Sequence, residues 1–260
     1  MSNKYIPAAT ILLLRDEPSF EVLMIERHAD TPFAGGAVVF PGGRIDPGDH
    51  IEAWTEYSTG LDAVPPEQKA PRVAAIREAF EETGMLLARR DGTLIDHEIS
   101  AELASWRDIV EQDDSQFFEM VKRYELSLAI DALHLYSRWR PPENAPHRRY
   151  DTWFFAAKAP EHQTAQADGG EALEILWTSP KAAISARDEG KVKMIYPTSR
   201  NVELLGVSET VLSVFQNAAA RKIEAITPFV KERDGKSYLA IPENLGYPVT
   251  EEPLETAFRS

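Results

Sequence analysis

The chain has 260 residues, 43% hydrophobic and 27% charged, the proportions of a soluble globular protein able to bury a substantial core. It contains no cysteine, which excludes disulfides and thiolate metal sites and suits a reducing compartment, taken here as the cytoplasm. Its net charge of −14, from 42 acidic and 28 basic residues, opposes nucleic acid and anionic membrane surfaces, so an anionic substrate needs locally recruited cations.

The opening "MSNKYIPAATILLLRDEPSF" carries an apolar run too short for a secretory signal, and no stretch approaches the roughly 20 apolar residues of a membrane span. "ATILLLRD" and "FEVLMIERH", separated by "EPS", predict a β-hairpin. "GGAVVF" predicts a short strand ending at Pro41-Gly42-Gly43. Gly60 and the pair Pro65-Pro66 predict a loop from Asp49 to Pro71, with a short helix near "HIEAWTEY". Residues 72–84 are helical by pattern, and "AELASWRDIVEQ" and "QFFEMVKRYEL" read as two amphipathic helices between about Ile99 and Leu126. "ALHLYSRW" and "RYDTWFFAAK" alternate as strands joined by "RPPENAP". "ALEILW" is a further strand, and Thr178-Ser179-Pro180 then opens a helix with an N-cap. A long helix is expected from Ser199 to Ala220 and a hairpin around Asp234-Gly235. Without a repeat or a low-complexity linker, the economical architecture is one domain over residues 1–260. It is an α/β (α+β) fold with a mixed sheet between helices and insertions at about 50–70 and 99–127.

"REAFEETGM", Arg77 to Met85, concentrates three glutamates on the 72–84 helix. At about 100° per residue, Val73, Phe80 and Thr83 fall within about 60° of Ile76, while Glu81, Glu78 and Glu82 fall on the other side, at about 140–240°. A solvated face is the usual reason for a run of charge. Here, however, Glu78 and Glu82 form an i,i+4 like-charge pair, costing about 0.2–0.5 kcal/mol, with no lysine interleaved. Three carboxylates on one face also suit a hard divalent cation such as Mg²⁺ or Mn²⁺. Taken alone, the residues leave both readings open.

"GGRIDPGD" followed by "REAFEETGM" resembles the signature of the Nudix hydrolases, in which a glycine, a carboxylate six residues on, and R-E-apolar-x-E-E-x-G-apolar form a loop–helix–loop. Arg77, Glu78, Ala79, Glu81, Glu82, Gly84 and Met85 meet the second half. Gly43 meets the first, and Asp49 stands where the family has Glu. Residues 50 to 76 put 27 residues between Asp49 and Arg77, an insertion of 20 over the family's spacing, and leave open whether Asp49 still reaches the helix. The split signature, with "GGAVVFPGG" and "RRYDTWFFAA", looks like the branch containing the peroxisomal coenzyme A diphosphatases and their bacterial relatives. The ending "AFRS" is not a peroxisomal address.

The resemblance implies a Nudix fold and hydrolysis of a diphosphate linked to another moiety. It implies Mg²⁺ or Mn²⁺ held by Glu78, Glu81 and Glu82, with the Gly42 carbonyl as a further ligand, and gives Arg77 the task of orienting a carboxylate. Glu81 or Glu174 is the expected base, with Glu171 in the "DGGE" turn as another candidate, although both loop residues also read as solvated carboxylates. Arg27, Arg44, Gly43, Arg148 and Arg149 are candidate substrate contacts. Arg148 and Arg149 read equally as a loop end, and His147 beside them as a surface residue. At least half of Trp153, Phe154 and Phe155 should be core. The expected substrate is a small nucleoside diphosphate derivative, coenzyme A or acyl-CoA first. ADP-ribose or a dinucleotide is the rival substrate, and a catalytically silent Nudix-fold module the rival of another class. The 99–127 helices and the last forty or so residues shape either the pocket or a homodimer interface.

Overall fold

Strand β1 (Ile6–Arg15) sets the architecture, because Ile11, Leu12, Leu13 and Leu14 are all fully buried and so both of its faces must be covered. The computed structural model describes residues 5–30, 34–143, 145 and 149–257. β1 turns into β2 (Glu21–Arg27) as the expected antiparallel hairpin, with Leu14 opposite Val22. β3 (Val38–Val39) pairs with β2, and β4 (Gly42–Arg44) returns along β1, with Ala9 opposite Gly43. Helix α1 (Pro66–Thr83) follows three short 3₁₀ turns. β5 (Ala88–Arg90), β6 (Thr93–Leu94) and β7 (Ser127–Leu128) make a small separate sheet enclosing α2 (His97–Leu103), α3 (Arg107–Gln112) and α4 (Ser115–Arg123) in sequence.

β8 (His134–Trp139) and β9 (Tyr150–Lys158) are the expected strand pair, and β9 runs parallel to β1 in register from Ile6–Tyr150 to Leu14–Lys158. β10 (Ala172–Thr178) closes the other edge against β2, and Ser179 caps α5 (Pro180–Asp188) through the Ala182 amide at 3.2 Å. Two further helices, α6 (Tyr196–Leu205) and α7 (Val211–Ala220), precede β11 (Ala225–Ile226). The hairpin of β12 (Phe229–Arg233) and β13 (Lys236–Ala240) then pairs with β14 (Glu251–Pro253), before α8 (Leu254–Ala257). The principal sheet has the order β10-β2-β1-β9-β8-β11, with β3 and β4 alongside.

Strand alternation divides the core between the two faces of this sheet. Ala9, Ile11, Leu13, Leu23 and Ile25 pack with Val73, Ile76 and Phe80 of α1. Leu12, Leu14, Val22 and Met24 pack with Val202, Leu205, Val211 and Val214 of α6 and α7. Trp153 and Phe155 join the first cluster and Phe154 the second, so the three aromatics are core, as alternation on a strand requires. Among the described residues, no helix is long and apolar enough to cross a membrane.

Three expected boundaries move. α1 begins at Pro66, not near residue 72, and continues through Pro71, because burial of Ala70 to Ile76 against the sheet outweighs the one hydrogen bond that proline forfeits. The expected helix over 199–220 is two helices. α6 ends at Gly206, and α7 restarts where Thr210 and Ser213 cap one another. "AELASWRDIVEQ" is likewise divided by a 3₁₀ turn at Ala104–Trp106.

Candidate active site

The C-terminal half of α1 lies under β4 and the 3₁₀ turn at Pro47–His50, and its acidic face is buried there. Arg77 is the centre of the arrangement. Its Nε and one terminal nitrogen grip Asp49 at 2.9 and 3.0 Å. The other terminal nitrogen donates to Glu78 at 3.0 Å and Glu81 at 2.9 Å, and the fifth N–H goes to the Arg44 carbonyl at 2.8 Å. All five guanidinium donors are thus used inside the protein. Burial alone would lower the Arg77 pKa, but Glu78, Asp49 and Glu81 outweigh it and hold the guanidinium firmly charged.

Asp49 is therefore brought to the helix despite the insertion. It is 3% exposed, and its Oδ2 also accepts from the Asp46 amide at 2.8 Å. The insertion folds back upon itself to achieve this. Trp54 is buried, donates its indole N–H to the Gly48 carbonyl at 2.8 Å, and packs edge-on against Phe118 of α4 at 5.0 Å. Asp114 accepts the Gly48 amide from the same side.

Glu82 has different partners. Its Oε2 accepts from the Gly42 amide at 2.7 Å, and its Oε1 lies 3.4 Å from Arg27, whose other nitrogen meets Glu171 at 2.5 Å. Gly42 has φ 156°, and a β-carbon there would collide with the Ala9 carbonyl of β1, so only glycine brings this amide to Glu82. Gly43 lies flat against Glu78; a β-carbon at Gly43 would stand 2.6 Å from both carboxylate oxygens.

The charges do not balance. Among the described residues, Asp49, Glu78, Glu81 and Glu82 form ion pairs with just two guanidinium groups, those of Arg77 and Arg27. Burial raises all three glutamates, Glu78 well above the usual carboxylate range, Glu81 to about 7 and Glu82 to about 8; repulsion adds to it, from Glu81, Glu82 and Asp49 at Glu78, from Asp49 and Glu111 at Glu81, and from Glu171 and Asp168 at Glu82. Among the described residues, no three carboxylates are grouped so as to hold a metal ion between them. The preassembled cation face expected from the helix is instead a set of glutamates turned towards Arg77, Arg27 and the Gly42 amide. The donor chemistry nonetheless suits a hard divalent cation: oxygen donors only, with surplus negative charge.

Other candidates are placed differently. Arg44 has an exposed guanidinium paired with Asp46 at 2.9 Å. Arg149 is buried, donates to the Glu143 carbonyl and lies over the Tyr5 ring, which is a structural setting for a residue expected to contact substrate. Arg148 and His147 lie outside the described residues. Glu174 is exposed on β10 opposite Glu26, whereas Glu171 is joined to Glu82 through Arg27. Asp46, Arg107, Glu111 and Asp168 also border the carboxylates. Asp46 and Asp168 had local signals, the Asp-Pro-Gly turn that Asp46 opens and the Asp-Gly-Gly turn in which the Asp168 side chain accepts the Gly170 and Ala172 amides.

The profile of the NUDT19 Nudix domain matches residues 57–204, more than half of the chain and including all of α1. The chain belongs to the Nudix family. The Acyl-coenzyme A diphosphatase NUDT19 of Homo sapiens is 30% identical over 204 residues, covering 63% of this Nudix chain and 54% of that protein. Its counterpart in Gallus gallus is 30% identical over 234 residues, covering 68% and 61%. This Nudix chain thus matches between half and two thirds of the length of those relatives. The crystal structure of a NUDIX hydrolase from Alicyclobacillus acidocaldarius superposes with a TM-score of 0.70 at 25% identity, covering 83% of this chain and 97% of that one.

Proposed function

We propose that the chain is a divalent-metal-dependent pyrophosphohydrolase that cleaves the diphosphate of coenzyme A or an acyl-CoA. The carrying observation is the Arg77 hub, which gathers Asp49, Glu78 and Glu81 beside Glu82 with more negative charge than the protein itself neutralises. The choice of coenzyme A rests on the names of the curated relatives, acyl-coenzyme A diphosphatases.

Glu78, Glu81 and Glu82 would hold Mg²⁺ or Mn²⁺, with the Gly42 carbonyl beside them. The ion would supply neutralisation of the diphosphate oxygens and acidification of a bound water. Arg77 does not reach substrate in this scheme. With its five donors engaged, it fixes Glu78 and Glu81 relative to Asp49. Arg27 holds Glu171 next to Glu82, where a carboxylate can accept the proton of the attacking water, and this position favours Glu171 over Glu174 as the base. The exposed Arg44 head offers a charge-assisted contact for a substrate phosphate.

The test is a turnover screen of coenzyme A, an acyl-CoA, ADP-ribose, NADH and diadenosine polyphosphates with Mg²⁺, Mn²⁺ or EDTA. Coenzyme A should yield 4′-phosphopantetheine and adenosine 3′,5′-bisphosphate with a divalent cation and nothing with EDTA. Preferred turnover of ADP-ribose or a dinucleotide would move the substrate assignment. No turnover of any of them would refute the enzymatic reading.

A further inference from the structure

α3 sends one cation to the catalytic helix, and that cation goes to the backbone rather than to a carboxylate. α1 ends at Thr83; Gly84, at φ 70°, turns the chain, and its amide bonds the Phe80 carbonyl at 2.9 Å. The Glu81 carbonyl is one of the last four of the helix, which have no partner within it. Arg107, the first residue of α3, supplies one: its Nε and a terminal nitrogen both donate to the Glu81 carbonyl, at 3.0 and 2.8 Å. The guanidinium lies against Gly84, where a β-carbon would just touch it at 3.5 Å. Burial lowers its pKa, and Asp168, Asp108, Glu111 and Glu82 are close enough to favour its charge. Glu81 is consequently held at both ends, with its carboxylate on Arg77 at 2.9 Å and its carbonyl on Arg107.

We infer that Arg107 is a positioning residue for the cation site, fixing the last turn of α1 so that Glu81 and Glu82 present their carboxylates together. The inference rests on the cation-binding function proposed above. It makes α3 a working part of the site, and it predicts a sign that charge alone does not. Removing a positive charge from among carboxylates should by itself tighten binding of a divalent cation. Releasing the helix end should weaken it, and partners that orient ligands typically affect metal affinity by about 10–100-fold.

Mn²⁺ titration of the full chain by electron paramagnetic resonance, for the native protein, Arg107→Ala and Arg107→Lys, separates these effects, with thermal melting and coenzyme A kinetics alongside. Arg107→Ala should bind Mn²⁺ about tenfold more weakly and lose kcat more than it gains KM. Arg107→Lys, which keeps the charge and can still donate to the carbonyl from a single nitrogen, should recover most of the affinity. Mn²⁺ binding by Arg107→Ala at native strength or tighter, even with a lowered melting temperature, would reduce Arg107 to a fold contact and overturn the inference. So would an Arg107→Lys protein no better than the alanine variant. If the native chain binds no Mn²⁺, the function reading itself fails, and the inference with it.

Discussion

Gly43 and Glu78 show how little freedom the site leaves to single residues. Because a β-carbon at Gly43 would stand 2.6 Å from both Glu78 oxygens, Gly43→Ala must displace either the carboxylate or β4. We expect a 10–100-fold loss of metal-supported turnover, of the size seen when a ligand's support is removed. Turnover within about threefold of native in a coenzyme A assay would show that Glu78 need not hold this position. Arg77 is constrained in a different way. A lysine offers three donors from a single point and cannot span Asp49, Glu78, Glu81 and the Arg44 carbonyl.

At the scale of elements, the insertion between Asp49 and Arg77 is a buttress. Trp54 is 1% exposed, and it links the Gly48 carbonyl to the aromatic face of α4. Trp54→Ala should cost about 3–5 kcal/mol by urea unfolding, and turnover should fall because Asp49 loses its anchored turn. An unfolding midpoint unchanged within error would refute the buttress. The sequence made α1's acidic face legible because Glu78, Glu81 and Glu82 fall together opposite Ile76 at helical spacing, although a solvated face fitted that pattern as well. It made both hairpins and the β8–β9 pair legible through alternation and turn residues. Pro71 hid the first turn and a half of α1, since a local helix-breaking rule carries no knowledge of the sheet beneath. The return of Asp49 was illegible for a related reason: it depends on Trp54, Phe118 and Asp114, which meet only after α4 has packed. Arg107 was hidden because a guanidinium bonding a distant backbone carbonyl leaves no pattern in local sequence.

For the whole molecule, a net charge of −14 opposes the anionic substrate proposed above, and the buried glutamates make that conflict measurable. The folded pKa values of about 7 for Glu81 and about 8 for Glu82 lie above the ordinary carboxylate value of 4.5. Between those limits the folded state holds more protons than the unfolded chain, so raising the pH through this window lowers the stability of the cation-free protein. A divalent cation competes with those protons. The rise in melting temperature on adding Mg²⁺ should therefore grow from pH 5.5 to pH 8.5, and a Mg²⁺ effect independent of pH would contradict the linkage. The cation site itself is tested most directly by Mn²⁺ titration of the native chain against Glu82→Gln, whose amide oxygen can still accept the Gly42 N–H. The native chain should bind Mn²⁺, displaceable by Mg²⁺, and Glu82→Gln should bind about 100-fold more weakly with an undiminished melting temperature. Equal Mn²⁺ affinity in the two proteins would contradict the assignment of these carboxylates.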